Sequence, residues 1–151
     1  MVYAKGTMVS PEKSKMEIER MLRRYGAGQF VSGWDQDKAV VGFSVKGRQV
    51  RFTLSMPKPE EFGTTPTGRR RSKAHLVDRA WEQNCAEKWR ALALVIKAKL
   101  EAVESGIATF EDEFLANTVL PNGSTVGQWA APQLDAVYAN GSMPKLLSSG
   151  G

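Results

Sequence analysis

The chain has 151 residues, of which 42% are apolar and 25% charged, and this composition suits one domain that buries its own core. With one cysteine, Cys85, and one histidine, His75, it lacks the residues for zinc fingers, iron-sulfur sites, Cys/His catalytic pairs or an internal disulfide. The net charge of +5 is uneven, since residues 1–99 hold 20 of the 21 Lys and Arg but only 10 of the 16 acidic residues.

The first predicted element is a helix in "SPEKSKMEIERMLRRYGAG". Ser10 suits an N-cap, Pro11 suits the first helical position, and Gly26 suits the end of the helix. Apolar side chains such as Ile18 and Leu22 recur at helical spacing on one face. These signals agree on a helix of about four turns.

Three short strands are predicted next. The runs 29–34, 39–45 and 49–55 are rich in β-branched and aromatic residues, and turn residues at 35–38 and 46–48 separate them at hairpin lengths. In the third run apolar residues alternate with Gln49, Arg51 and Thr53. We therefore expect an antiparallel meander with one apolar face and one small, polar and basic face.

A long loop and a long helix follow. Residues 56–71 contain three prolines and two glycines, and about sixteen residues is long for a connection in a compact domain, so we expect a functional or disordered loop. From 72 to 104 apolar residues recur at three- and four-residue steps, which predicts one amphipathic helix about 50 Å long. Trp81 and Trp89 fall on its apolar stripe, where core packing is the better interpretation than base stacking.

The last third predicts two further helices. Thr109 and Asp112 resemble a capping box that begins a short helix, and a turn is expected around Asn122. A final helix from 126 to 140 should be interrupted or kinked by Pro132. Together the elements predict a single α+β domain, in which the long helix packs on the sheet. Its basic α-β-β-β-α core spans about 10–104 and its acidic helical extension about 107–147.

The strongest functional signal is the run Arg69-Arg70-Arg71, followed by Lys73, at the junction of the loop and the long helix. A structural cap would use Asp, Ser or Thr there, because the start of a helix already carries about half a positive charge. Phosphates bind well at such positions. Further cations, expected along the sheet to complete a groove, are Lys46, Arg48 and Arg51.

Two aromatic residues are candidates for stacking against bases. Phe62 lies in the loop and Trp34 at the end of the first strand, and aromatic platforms accept any base. The alternative for the arginine run is structural, with solvated side chains that pair with Glu60, Glu61 or Asp78. Both interpretations stay open at this point.

Acidic residues cluster at the corner between the long helix and the next one. This acidic corner consists of Glu101, Glu104, Glu111, Asp112 and Glu113. Clustered carboxylates can bind Mg²⁺ or Ca²⁺, but no EF-hand, Walker A, dinucleotide-binding or nucleophile-elbow motif is present. We expect solvated acids and no cofactor, with a metal-dependent nuclease as a remaining alternative.

Two resemblances add to these expectations. The segments "AWEQNCAEKWRALALVIKAKLEAVESGIATFEDEFLA", "VLPNGSTVGQW" and "VSPEKSKMEIERMLRRYGAGQF" resemble an uncharacterised family of small proteins from tailed bacteriophages and prophages. The predicted order of a three-stranded meander and a long helix is similar to the β-β-β-α core of Rad52-type single-strand annealing proteins. The first implies a phage setting, and the second implies a basic groove for single-stranded DNA.

These observations predict a non-enzymatic nucleic-acid-binding protein that acts on single-stranded DNA in recombination or replication. The alternative is a protein-interaction module, either a regulator of a host factor or a subunit of a homo-oligomer. The first residues, "MVYAKGTMVS", include no apolar run of signal-peptide length, and no segment approaches the roughly 20 apolar residues of a membrane helix. We therefore expect a protein of the host bacterial cytoplasm without a membrane partner.

Overall fold

The N-terminal helix, α1, spans Pro11–Tyr25 in a computed structural model that describes residues 9–71 and 73–143. The hydroxyl of Ser10 accepts a hydrogen bond of 3.1 Å from the backbone N–H of Lys13. Gly26 ends the helix at φ 107°, a left-handed conformation that glycine adopts without strain. Both predicted end signals are confirmed. The part of the predicted extension beyond residue 143 lies outside the described residues.

The three predicted strands form one antiparallel sheet in the order β1-β2-β3. They span Gln29–Asp35, Lys38–Val45 and Arg48–Ser55. In the register, Ala39 of β2 lies between Trp34 and Leu54, and Phe43 lies opposite Val50. Tight turns therefore join the strands at opposite ends of the sheet, which confirms the meander.

The long helix, α2, spans Ala74–Glu104. It begins two residues later than predicted, with Lys73 at the N-cap position, and Ser72 lies outside the described residues. Its 31 residues extend about 46 Å, whereas an eight-residue strand extends about 25 Å. The helix is therefore about twice as long as the sheet, and only its C-terminal half can pack on the strands.

One face of the sheet and the two helices α1 and α2 form the core. Buried side chains come from α1, from alternate positions of β2 and β3, and from α2 beyond residue 85. Trp89 is among them, as predicted, and the Nζ of Lys15 lies 4.7 Å from the centre of its ring. The opposite, outer face of the sheet carries Val31, Gly42 and Arg51.

The C-terminal segment returns to the sheet after α2. A short helix, α3, spans Phe110–Glu113, and a 3₁₀ turn at Leu115–Asn117 follows it. Thr118 then forms an antiparallel bridge with Val50. The rings of Phe110 and Phe114 belong to the same core as the sheet, so the acidic extension is packed against the basic part of the chain.

The last helix, α4, spans Val126–Asn140. Thr125 and Gln128 form a reciprocal capping box, with bonds of 3.2 Å and 2.9 Å. The predicted interruption at Pro132 does not occur, because the helix continues through this residue to a left-handed Gly141. Proline has no N–H, so its place in the helix leaves the carbonyl of Gln128 without its usual partner.

Candidate nucleic-acid interface

The loop that carries the arginine run is fixed at its start to the sheet and to α2. The N–H of Met56 donates to the carbonyl of Asp37 at 2.8 Å. The indole Nε1 of Trp81 donates to the carbonyl of Pro57 at 2.7 Å. A 3₁₀ turn at Pro59–Phe62 then packs against α2. The loop therefore covers the half of α2 that extends beyond the sheet.

The second part of the loop folds into a compact turn between Thr64 and Arg70, which form an antiparallel bridge. Thr65 organises this turn, since its N–H donates to the carbonyl of Arg69 at 2.6 Å and its hydroxyl accepts from the N–H of Arg69 at 3.0 Å. Gly68, at φ 88°, supplies the left-handed residue that the turn needs. Residues 64–70 therefore have a defined backbone, which we call the arginine turn.

Arg71 differs from its two neighbours because its side chain is half-buried beneath the arginine turn. Its Nη1 donates to the carbonyl of Phe62 at 2.8 Å and to the carbonyl of Thr64 at 2.6 Å. Its backbone N–H donates to the carbonyl of Gly63 at 2.8 Å. Part of this guanidinium therefore holds the loop together, a role that the sequence pattern did not separate from phosphate binding.

Arg69, Arg70 and Lys73 are all exposed. Among residues 9–71 and 73–143, no carboxylate oxygen lies within 4.0 Å of their side-chain nitrogens. The pairing with Glu60, Glu61 or Asp78 that we considered as the alternative is therefore not formed. Lys73 also leaves the start of α2 without a side-chain cap, and the first turn of that helix contains no acid. An anion would meet an uncompensated positive region there.

Lys46 and Arg48 lie at the other end of the sheet. Lys46, at φ 52°, and Gly47, at φ 78°, form the turn between β2 and β3, and Arg48 follows it as the first residue of β3. The loop leaves the sheet beside the opposite turn, at Asp37, and the strands between the two turns are about 25 Å long. The single groove expected from the sequence is therefore not formed by these cations, because the meander separates them.

Arg51 lies on the outer face of β3 and faces the C-terminal segment. Its Nη2 donates to Oε1 of Gln128 at 3.3 Å, and its carbonyl accepts from Nδ2 of Asn117 at 3.1 Å. Arg51 is half-buried by this packing. It contributes to the attachment of the C-terminal segment and does not extend the arginine turn.

The two candidate stacking residues differ in accessibility. Trp34 is 81% exposed and lies at the same end of the sheet as the start of the loop, because its neighbour in the register is Ala39. Phe62 is half-buried and lines a cleft of about 530 Å³ between the loop and α2. The cleft is also lined by Arg71, Asn84, Glu61 and Glu87. Trp34 is the better placed platform for a base.

Lys38 is a cation that the sequence interpretation treated only as a turn residue. It is exposed and lies at the Trp34 end of the sheet, paired in register with Asp35 on one side and Ser55 on the other. The meander predicted from the sequence already places the β1–β2 turn at the end of the sheet where the loop begins, so this position could have been found from the order of the strands. Lys38 therefore joins Trp34 as a candidate contact.

The acidic corner is partly used within the fold. Nζ of Lys99 lies 3.5 Å from Oε1 of Glu113 and donates to the carbonyl of the same residue at 3.0 Å. Burial, followed by the charges of Glu104 and Glu111, raises the pKa of Tyr25 above its ordinary value. Across the described ranges, no group of three or more His, Cys, Asp or Glu is arranged to hold a metal ion.

The fold and these positions define an α+β protein with an exposed arginine turn and a separate acidic corner. No protein-family model, curated protein or solved structure matches the chain, so the interpretation of this surface depends on its own residues. In the described part of the chain, no helix is both long enough and apolar enough to cross a membrane.

Proposed function

We propose that the protein binds single-stranded DNA through the arginine turn, as a non-enzymatic component of recombination or replication. The observation that carries the proposal is the exposure of Arg69 and Arg70 without a described carboxylate near either side chain. Both are exposed on a hydrogen-bonded turn, and no described carboxylate lies within 4.0 Å of either guanidinium. Lys73 at the start of α2 adds a third contact to phosphate.

The preference for a single strand comes from Trp34. An 81% exposed indole contributes little to the core, but it offers a stacking surface to an unpaired base, worth about 1–3 kcal/mol. Lys38, in the next register pair but on the opposite face of this end of the sheet, would hold a phosphate of the same strand. The resemblance to phage proteins supports a setting in the cytoplasm of a host bacterium.

The test is a titration of the full chain into a labelled single-stranded oligonucleotide at about 50 and 200 mM salt. We expect an affinity in the micromolar range or tighter at the lower concentration and a steep loss at the higher one. The double variant Arg69→Ala/Arg70→Ala should bind at least about tenfold more weakly. Its salt slope should be lower by about 1.4, because each lost phosphate contact on a single strand contributes about 0.7.

A matched control removes the same charge elsewhere. Arg20 and Arg24 are exposed on α1, and Arg20→Ala/Arg24→Ala changes the net charge equally. The proposal requires this control to retain most of the affinity and slope. Absence of binding by the natural chain at low salt, or equal losses in the two double variants, would refute it.

A second function, binding of a host protein, is supported by the acidic corner. Ile107 is 82% exposed beside Glu101 and Glu104, with which it lines a shallow cleft. An apolar side chain among carboxylates is suited to a basic partner protein. Absence of oligonucleotide binding at low salt would favour this function over the first.

A further inference from the structure

The last helix extends away from the rest of the structure. None of the fifteen residues of α4, all of which the structure describes, is buried. Its first turn does make contacts, since Gln128 accepts from Arg51 and a Cβ added to Gly127 would lie 3.1 Å from the carbonyl oxygen of Ala116. Beyond that turn, α4 is held by its own backbone bonds.

An apolar stripe runs along this helix. At about 100° per residue, Val126, Ala130 and Val137 form its middle. Trp129, which is 53% exposed, lies on one side of that middle line, while Leu134 at 54% and Tyr138 at 85% lie on the other. The stripe covers about half of the helix circumference, a width that usually faces a protein core. Here the large side chains of the stripe, Trp129, Leu134 and Tyr138, are exposed, while Val126, Ala130 and Val137 along its middle are half-buried.

We propose that α4 binds α4 of a second copy of the chain, so that the protein forms a two-fold symmetric dimer. A symmetric contact needs a surface that is complementary to itself. An apolar helix face satisfies this condition, since it has no charge pattern that must meet its opposite. Two helices in antiparallel arrangement also bring the positive end of each helix dipole close to the negative end of the other.

Charge is the reason to choose a second copy as the occupant. Each chain carries a net +5, so two copies repel each other at long range. In α4 the only charged side chain is Asp135, which lies on the side opposite the apolar stripe. Two copies can therefore approach along α4 without placing like charges against each other.

The exposed apolar area of α4 is sufficient for a weak dimer. Full burial of a Trp or Tyr removes about 150–250 Å² from water, so the exposed parts of Trp129, Leu134 and Tyr138 together offer roughly 400 Å² per copy. With the backbone and smaller residues of the stripe, the pair would bury on the order of 1,000 Å², at the lower end for specific complexes. We expect a dimer that dissociates at micromolar concentrations.

Sedimentation equilibrium of the full chain without nucleic acid tests this proposal separately from DNA binding. We expect a concentration-dependent monomer–dimer equilibrium, and at least a tenfold rise of the dissociation constant in Leu134→Glu. The matched control is Leu94→Glu, because Leu94 is 50% exposed on α2 and should leave the equilibrium unchanged. Far-ultraviolet circular dichroism should show that both variants keep their helices.

A cross-link tests the geometry. The two-fold axis of an antiparallel pair would pass near Gln133, the middle of α4, so Gln133→Cys in a Cys85→Ser background should form an intermolecular disulfide on mild oxidation. The exposed Thr53→Cys on β3 should not. A chain that stays monomeric up to several hundred micromolar, a dimer that Leu134→Glu does not weaken, or equal cross-linking at the two positions would overturn the proposal.

Discussion

The indole Nε1 of Trp81 lies 2.7 Å from the carbonyl oxygen of Pro57 and donates a hydrogen bond to it. This contact joins two parts of the chain that are 24 residues apart. It fixes the start of the loop to the part of α2 that the sheet cannot reach. The position of the arginine turn on the molecule therefore depends on a tryptophan whose indole N–H is bonded to the backbone of the loop.

Trp81→Phe should loosen the loop while α2 remains intact. The ring can still pack, but the carbonyl of Pro57 loses its donor, and a hydrogen bond of this kind contributes about 1 kcal/mol. Urea unfolding should show a loss of about that size, and proteolysis within residues 58–70 should become faster. Trp34→Phe is the control, because that indole is 81% exposed and should change neither measurement. Equal behaviour of the two variants would argue against the anchor.

Arg71→Ala should destabilise the arginine turn more than Arg70→Ala does. Arg71 donates to the carbonyls of Phe62 and Thr64, whereas the side chain of Arg70 is exposed. Hydrogen bonds from charged donors contribute about 1.5–3 kcal/mol, and partial exposure reduces this to about 1 kcal/mol. Amide hydrogen exchange at Gly68 and Arg69 should accelerate only in the Arg71 variant, and matching acceleration in both would contradict the assignment.

The contrast between Arg70 and Arg71 shows where prediction from the sequence ends. Ser10 and Gly26 act within a few residues of their own positions, so their local pattern predicts the limits of α1. Arg71 binds carbonyls seven and nine residues away, and those carbonyls reach it only after the loop has folded. The three consecutive arginines therefore have different roles, which the sequence pattern alone does not distinguish.

Phe114→Ala should cost about 3–5 kcal/mol of unfolding free energy, the usual range for a buried phenylalanine. Phe114 is fully buried, with its ring centre 4.9 Å from that of Phe110 and 5.7 Å, edge to face, from that of Phe43. Phe114→Leu should cost less than half as much, because the smaller cavity loses fewer contacts. Denaturant unfolding measures both.

Leu115→Ala is the control for Phe114→Ala, since Leu115 is the next residue in the chain and its side chain is 49% exposed. A loss of less than about 1 kcal/mol is expected there. If Phe114→Ala were equally mild, the acidic extension would not share a core with the sheet. The sequence predicted a short helix at this point but not the contact of Phe114 with the sheet.

Arg51 shows the same limit of prediction from the sequence, in this case for the sheet. Its place in the alternating pattern of 49–55 correctly predicts that it lies on the face opposite Val50 and Phe52. Which residues contact Arg51 on that face depends on the path by which residues 117–128 return to the sheet. The turn predicted around Asn122 does not specify the direction of that path. The bond between Arg51 and Gln128 therefore could not be predicted from either segment alone.

Tyr25 should make folding stability sensitive to alkaline pH. Its pKa is raised above the ordinary value of 10.0, first by burial and then by the charges of Glu104 and Glu111. Above pH 10 the unfolded chain has released this proton while the folded chain still holds it. The contribution of Tyr25 is therefore fully present below about pH 10 and is lost as the pH rises through the higher folded value.

Tyr25→Phe removes this dependence, since phenylalanine has no proton to release. The difference in unfolding free energy between the natural chain and the variant should be constant from about pH 7 to 9. It should then shift in favour of the variant above about pH 10, where the unfolded chain ionises. Tyr138→Phe, at an 85% exposed position, is the control for general alkaline effects such as lysine deprotonation. Parallel curves for the natural chain and Tyr25→Phe throughout the alkaline range would show that neither burial nor the charges of Glu104 and Glu111 raise the pKa of the phenol.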